Sequence, residues 1–396
     1  MNTTNRLFAL FFIISGIIYS AASYSREKQN NTKEQLPSKN YLYKDALTFA
    51  QTNEDDRRST ILVLDIFENR ISGVNLSHLN NNYSENIFDV VAGVGWEEVK
   101  EIAKKAKNTK TTFKEEVISI AQLIGVGPSG LSHIAAGTNY PEHGKETGMN
   151  NGAFLFPKFS AASGPMGSVS ADSGILLDYE AEVCARFDRE IRSTDDFESA
   201  RKGFFLCGDF SDRATLMRNI NLKNPYSGDG FPDAKSGIGR FPTGPFLVVP
   251  KDWKKFLAHL KFNTLVNNEP RQKVNASDMI KDLKTIVLES LAEGSTRTWL
   301  FEQARVHMIQ GQVIGTEMAI LTGTGDGVVF QEPSQDLINQ LVAAKNRSQE
   351  LSIINAYIES EIKLDKYLQP DDTVIYTSNF LGKIETKVTS ALKEKI

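Results

Sequence analysis

Two apolar runs that carry carboxylates constrain this chain more than any other feature. Ile175-Leu176-Leu177-Asp178-Tyr179-Glu180-Ala181-Glu182-Val183 holds glutamates two apart, and Phe204-Phe205-Leu206-Cys207-Gly208 ends at Asp209. In a β-strand, residues i and i+2 face the same way, so Glu180 and Glu182 aim at one spot. Like charges held that close inside a sheet cost free energy unless a cation offsets them or one carboxylate takes up a proton. A hard divalent metal is the simplest remedy, and Mg²⁺ in particular takes a few carboxylates while leaving positions for water or substrate oxygen. Glu180, Glu182 and Asp209 are therefore candidate ligands of a catalytic metal. The alternative is a solvated strand face opposite Tyr179, Ala181 and Val183.

At 396 residues the chain is long enough for two domains, or for one large domain with an appendage. Its composition, 40% hydrophobic and 24% charged, is that of a globular protein. A net charge of −4, with no basic stripe, argues against a nucleic-acid partner. Cys184 and Cys207 are the only cysteines. Each reads as a buried thiol or, if the protein is exported, as half of a disulfide between neighbouring strands; spacing does not decide between them. The histidines are scattered and match no zinc spacing. No Gly-rich phosphate loop follows a strand and no nucleophile elbow is present, which disfavours nucleotide cofactors and serine-hydrolase chemistry.

Arg6 precedes the apolar stretch Leu7 to Tyr19, which gives way to Ser20-Ala21-Ala22-Ser23. A positive start, an apolar stretch and a small-residue exit are the elements of a secretory signal. The stretch is shorter than the roughly 20 residues that span a bilayer comfortably. Residues 1–23 are accordingly expected to be a signal peptide of an exported protein, periplasmic or secreted, the alternative being a membrane anchor at residues 7–22. Residues 24–43, rich in Asn, Lys, Gln and Glu, read as a disordered tether.

After the tether, Thr60 to Ile66 and Asn69 to Val74 predict a hairpin, and Trp96 to Lys107 and Thr112 to Leu123 carry helical periodicity. A small N-terminal domain is expected at 44–124. Beyond Gly125, short strands and Gly-Pro turns dominate, including 154–156, 175–187, 203–209, 244–250, 261–266, 313–321 and 373–376, with helices at 277–291 and 297–310. The pattern predicts an α+β fold, mainly β, without the alternation of a doubly wound sheet. Residues 346–367 read as a charged helical insertion within a catalytic domain at 125–396.

Four further segments join the carboxylates. Gly137-Thr138-Asn139-Tyr140-Pro141-Glu142-His143-Gly144-Lys145-Glu146 places His143 and Glu146 three apart, on one side of a helical turn. Such a pair orients one imidazole tautomer and leaves the other nitrogen free as a base. Lys158 and Lys235 lie near Gly or Pro turns, and Thr322-Gly323-Thr324-Gly325 is a tight turn offering hydroxyls and backbone amides.

In this order, from about Gly137 to Val388, the motifs resemble the fumarylacetoacetate hydrolase family. The matching parts are Gly137 to His143, Asp178 to Glu182, Asp209-Phe210-Ser211-Asp212-Arg213, Lys235-Ser236, Thr243 to Phe246, Val266 to Gln272 and Thr322 to Thr324, closing with Leu368 to Val374 and Leu381-Gly382. The resemblance implies a β-roll-like catalytic domain, usually dimeric, with Mg²⁺ or Mn²⁺ held by the residues matching Glu180, Glu182 and Asp209. It implies a His143/Glu146 base dyad on a segment that orders over the ligand. It also implies an oxyanion-steadying Lys235 and substrate contacts from Lys158, Arg213 and Thr324, with Thr324 on the carboxylate. The chain departs from the family where Arg213 is followed by Ala214, Thr215 and Leu216 in place of the frequent Asp-x-Gln. That change is expected to remove a carboxylate and an amide from the pocket side.

The expected function is metal-dependent hydrolysis of a carbon–carbon bond in an acylpyruvate or fumarylpyruvate-like diketo acid, through a metal-stabilised enolate. Two alternatives stand beside it. One is a lyase, either a decarboxylase or a hydratase acting on a 2-oxo diacid; the other is an exported oxo-acid binder without turnover.

Overall fold

The strand-forming runs pair into an eleven-stranded sheet. In the computed structural model, which describes residues 42–106 and 114–390, its main path runs Glu116–Ser119, Arg70–Asn75, Arg57–Phe67, Ala46–Glu54, Leu247–Pro250, Lys202–Gly208, Ala181–Phe187, Ile320–Leu321, Ser132–Gly137 and Phe154–Phe159. Leu123–Ile124 pairs off this path with Ala46–Glu54. Within this sheet, among the described residues, the Ile320–Leu321 and Ser132–Gly137 contact is the one parallel pair. A second sheet of five strands runs Glu269–Asn275, Lys261–Val266, Thr373–Ser378, Gly382–Thr389 and Met166–Ser170. The fold is thus the expected α+β class, richer in strand than in helix. The expected signal peptide and nearly all of the tether lie outside the described residues.

Strands from 46–124 do not stand apart from the rest. Ala46–Glu54 pairs directly with Leu247–Pro250, and Val99 and Ile102 of the helix Trp96–Ala106 share one buried cluster with Phe204 and Leu247. Among the described residues no helix is long and apolar enough to cross a membrane.

Two strands at the middle of the large sheet set the site. Every residue of Ala181–Phe187 and of Lys202–Gly208 is buried, as expected of strands covered on both faces. Their antiparallel register pairs Ala181 with Gly208 and Glu182 with Cys207, so Glu180 and Asp209 leave the sheet side by side; the Asp209 amide donates to the Glu180 carbonyl at 2.9 Å. The same register brings Cys184 and Cys207 together, and they form a disulfide with their Cα atoms 5.9 Å apart. The choice that spacing left open thus falls to the bridge.

Three expected elements differ. Residues 112–123, expected as helix, instead contain an edge strand, Glu116–Ser119, then the one-turn 3-10 segment Ile120–Gln122. Val117 and Ile118 find partners in Ser72 and Ile71, so tertiary pairing overrides a weak local period. Residues 297–310 form the hairpin Trp299–Phe301/Ala304–Val306 rather than a helix, turning through Glu302 and Gln303 at φ 47° and 66°. Of the expected strand at 313–321 only Ile320–Leu321 is regular. By contrast, Asn267 and Asn268 take φ 51° and 67° between Lys261–Val266 and Glu269–Asn275, the left-handed turn that Asn tolerates.

The helical insertion is a pair, Gln335–Ala343 and Arg347–Lys363, the latter capped by the Asn346 side chain. Ile354 and Ile358 bury themselves against Leu176, Ala214 and Tyr367.

His133, fully buried beneath the sheet, accepts at Nδ1 from the Ala319 amide (3.1 Å), so its Nε2–H must donate to the Ser160 carbonyl at 2.9 Å. Burial is the main reason its pKa falls to about 4, with Lys158 and Arg186 adding repulsion. An unfolded histidine binds its proton near pH 6.5, so between about pH 6.5 and 4 the unfolded chain holds more protons. Stability is therefore lost as pH falls through that window, by up to about 3 kcal/mol. Urea unfolding at pH 7.5 and 5 should show the loss, and His133→Gln should flatten it; an unchanged slope in the variant would exclude the buried neutral imidazole as its source.

Candidate active site

The three carboxylates converge. One oxygen from each of Glu180, Glu182 and Asp209 lies within 4.8 Å of the others, and all three side chains are buried. Two oxygens on one Mg²⁺ stand at most about 4.2 Å apart, so the trio lies close to the spacing that a shared ion requires. An all-oxygen, all-carboxylate donor set suits a hard divalent cation, and the residues present fit such a group.

The chain's own cations hold Glu180 and Asp209 in place. The Lys235 ammonium donates to Glu180 Oε2 (2.7 Å), Asp209 Oδ2 (2.8 Å) and Ser211 Oγ (2.7 Å). Lys158 donates to Asp209 Oδ1 at 2.7 Å and to the carbonyls of Lys235 and Arg240. Arg213 donates from Nη2 to Glu180 Oε1 (2.7 Å) and from Nε to Asp178 Oδ2 (2.9 Å). Burial alone would raise the Glu180 carboxyl, but Lys235 and Arg213 outweigh it and bring it down to about 2. Glu182 touches no cation directly. Burial, followed by the charges of Asp209 and Glu180, pushes its pKa well above the usual range, and the Gly323 amide donates to Oε2 at 2.7 Å. Burial opposes the charge on Lys235, yet Asp209 and Glu180 prevail and raise its pKa, so it stays an ammonium.

His143 and Glu146 sit on the short helix Pro141–Glu146, whose first residue is a proline suited to that position. His143 Nδ1 lies 3.3 Å from Glu146 Oε2; a carboxylate only accepts, so Nδ1 carries the hydrogen and Nε2 keeps a free lone pair. Glu146 is held in turn by the Gly327 amide (3.0 Å) and the Gln331 side chain (3.0 Å). His143 opens onto the same cavity as Glu180, Lys235, Arg213 and Thr324.

That cavity is small and opens to solvent. Lys158 is not among its lining residues; it stands behind Asp209, fully buried. Thr324 lines the cavity while its hydroxyl donates to the Ala181 carbonyl and accepts from Gln272 Nε2, each at 2.8 Å. The departure after Arg213 divides in two. Leu216 faces the cavity, whereas Ala214 faces away from it and packs under Ile354 and Ile358. The expectation that both changes act on the pocket side holds for position 216 only; the helical pair occupies the side of the helix that Ala214 faces.

Two supporting residues were not singled out from the sequence. Asp178, completely buried, accepts from Arg213 and from the amides of Tyr179, Val329 and Phe330, all at 2.9–3.1 Å. Gln272 accepts from the Ala181 amide (3.1 Å) and the Thr264 hydroxyl (2.7 Å) while donating to Thr324 and the Gly325 carbonyl. Its place as the third carboxylate in the Glu-bearing run was the available signal for Asp178.

The fumarylacetoacetate (FAA) hydrolase C-terminal sequence profile matches residues 132–389, well over half of the chain. No curated protein matches the chain closely enough to count. Among solved structures, a probable 2-hydroxyhepta-2,4-diene-1,7-dioate isomerase from Mycobacterium abscessus superposes with a TM-score of 0.54 at 17% identity, covering 88% of this chain and 99% of that one. The fumarylacetoacetate hydrolase of psychrophilic Exiguobacterium antarcticum gives 0.53 at 16% identity, over 87% and 99%. A maleylpyruvate hydrolase from Sphingobium sp. SYK-6, solved with manganese (II) and pyruvate, gives 0.52 at 17%, over 87% and 100%. At such identities the superpositions speak for the fold, and the profile speaks for the family. The chain belongs to the fumarylacetoacetate hydrolase family.

Proposed function

We propose that the protein is a divalent-metal-dependent hydrolase that cleaves a carbon–carbon bond in an acylpyruvate-like diketo acid. The observation that carries this reading is the convergence of Glu180, Glu182 and Asp209 beside a cavity that also receives the His143/Glu146 pair. A structural neighbour solved with manganese (II) and pyruvate supports the same class of cation and ligand. When bound, the cation supplies Lewis-acid polarisation to the 2-oxo acid end of the substrate.

The chain's residues account for the rest. Glu146 fixes the Nδ1–H tautomer of His143, whose Nε2 takes a proton from water as its oxygen adds to the distal carbonyl. The bond to the neighbouring carbon then breaks, its electron pair stays on the pyruvoyl side, and that carbon takes a proton to leave a 2-oxo acid and a carboxylic acid. Lys235, kept protonated, offers positive charge where oxygen becomes anionic. Lys158 keeps Asp209 in place from behind, and Thr324 presents its loop to the substrate carboxylate.

His143→Ala is expected to lower hydrolysis of an acylpyruvate by about 10²- to 10⁴-fold, the usual range for a lost general base. Pyruvate release is measured in the presence of Mn²⁺, with oxaloacetate assayed alongside. Decarboxylation surviving in that variant while Glu180→Ala is dead would favour the lyase reading. Export is proposed as well, supported by the Cys184–Cys207 bridge, since such bonds persist in oxidising compartments. N-terminal sequencing of the mature chain tests it.

A further inference from the structure

The cavity lining joins charge to apolar surface. Beside Glu180, Arg213, Lys235 and His143, the side chains of Leu216, Phe231, Met149, Phe330 and Ala136 make up most of the remaining wall. Both cations of the lining sit at the metal trio, each bonded to Glu180 at 2.7 Å. An ammonium has three donors, and those of Lys235 go to Glu180, Asp209 and Ser211. The Arg213 guanidinium bridges Asp178 and Glu180, with the Phe330 ring centroid 5.4 Å from its central carbon. No lysine or arginine other than these two lines the cavity.

A second carboxylate on the substrate, remote from the metal trio, would therefore lose its water and meet no counter-charge. That is among the most unfavourable burials available to a small ligand. The apolar wall is also built firmly. Leu216 lies one turn after Arg213 on the helix Arg213–Asn219, and Phe231 is packed against Phe154 (ring centroids 4.8 Å) and Phe156 (5.1 Å). The backbone of that helix cannot drift, because Ala214 on its far side lies under Ile354 and Ile358 of the helical insertion.

We propose that the distal acyl group of the substrate is uncharged and apolar, a short alkyl or aryl chain, and that Leu216 with Phe231 selects it. This rests on the reading of the site as one for 2-oxo acids. Each methylene buried against such a wall adds about fourfold in affinity. A three-carbon extension of pyruvate is thus worth about sixtyfold if fully buried, while a terminal carboxylate on the same extension reverses the gain.

The test is calorimetry on the full-length, Mn²⁺-loaded protein with three product-like ligands: pyruvate, 2-oxohexanoate and 2-oxoadipate. The expected order places 2-oxohexanoate at least tenfold tighter than either of the others. Leu216→Gln, which puts an amide in the apolar wall, should narrow the ratio of 2-oxohexanoate to 2-oxoadipate at least fivefold. Equal or tighter binding of 2-oxoadipate by the unaltered protein overturns the proposal without touching the hydrolase reading. Failure of all three ligands to bind overturns both. The expected binding order, found without turnover of hexanoylpyruvate, supports the apolar subsite while removing the hydrolase.

Discussion

Glu182→Gln is expected to leave a folded protein that no longer binds Mn²⁺ and loses on the order of 10³-fold or more in kcat/KM toward an acylpyruvate, about 4 kcal/mol of transition-state stabilisation. The substitution keeps the shape and one acceptor oxygen, so the Gly323 amide retains its partner. It also places a neutral group where burial and two neighbouring carboxylates already disfavour charge. What disappears is one of three anionic donors aimed at a common centre. Thermal unfolding separates the two effects. At Mn²⁺ one hundred times above its dissociation constant, the unaltered protein gains about 2.7 kcal/mol of stability, and the variant should gain none. Retained Mn²⁺ stabilisation in the variant would show that the ion sits elsewhere.

Asp178→Ala should destabilise the protein by roughly 3–5 kcal/mol, the range for breaking a buried ion pair from one side, and lower Tm by on the order of 5–10 °C. The carboxylate satisfies four donors at once, and its loss strands the Arg213 Nε and three backbone amides. Two of those amides, Val329 and Phe330, belong to the segment that also anchors Glu146 through Gly327 and Gln331. Activity should therefore fall further than the loss of stability alone explains, because the dyad loses its footing. Asp178→Asn keeps acceptor capacity and should be milder in both respects. A shift below about 2 °C for the alanine variant would contradict the accounting of buried partners.

The convergence of the carboxylates was legible because Glu180 and Glu182 lie two apart at the start of the strand Ala181–Phe187, where a period of two gives residues a shared side, although Glu180 itself stands just before that strand. The helix within residues 346–367 was legible as well, since its charged amphipathic pattern is local, and the structure starts it at Asn346, whose side chain caps it. Residues 112–123 and 297–310 were not. Their outcome depends on which edge a distant strand offers, as Arg70–Asn75 does for Val117 and Ile118, and no local period encodes that. Asp178 escaped notice for a related reason. A carboxylate on the far side of the Glu pair resembles a solvated one until Val329 and Phe330, some 150 residues onward, bring their amides to it. The meaning of Ala214 likewise required the helical pair that lies over it.

The bridge between Cys184 and Cys207 joins two adjoining strands, one leading out of Glu182 and the other leading into Asp209. Each sulfur-bearing residue is two positions from a carboxylate of the trio, so the covalent tie lies beside the cradle itself. With Lys235, Lys158 and Arg213 already paired to Glu180 and Asp209, the tie limits how far the two strands can part when the cradle is empty. A protein stripped of its cation by a chelator should accordingly recharge on simple re-addition of the salt, with no refolding lag between encounter and recovered occupancy.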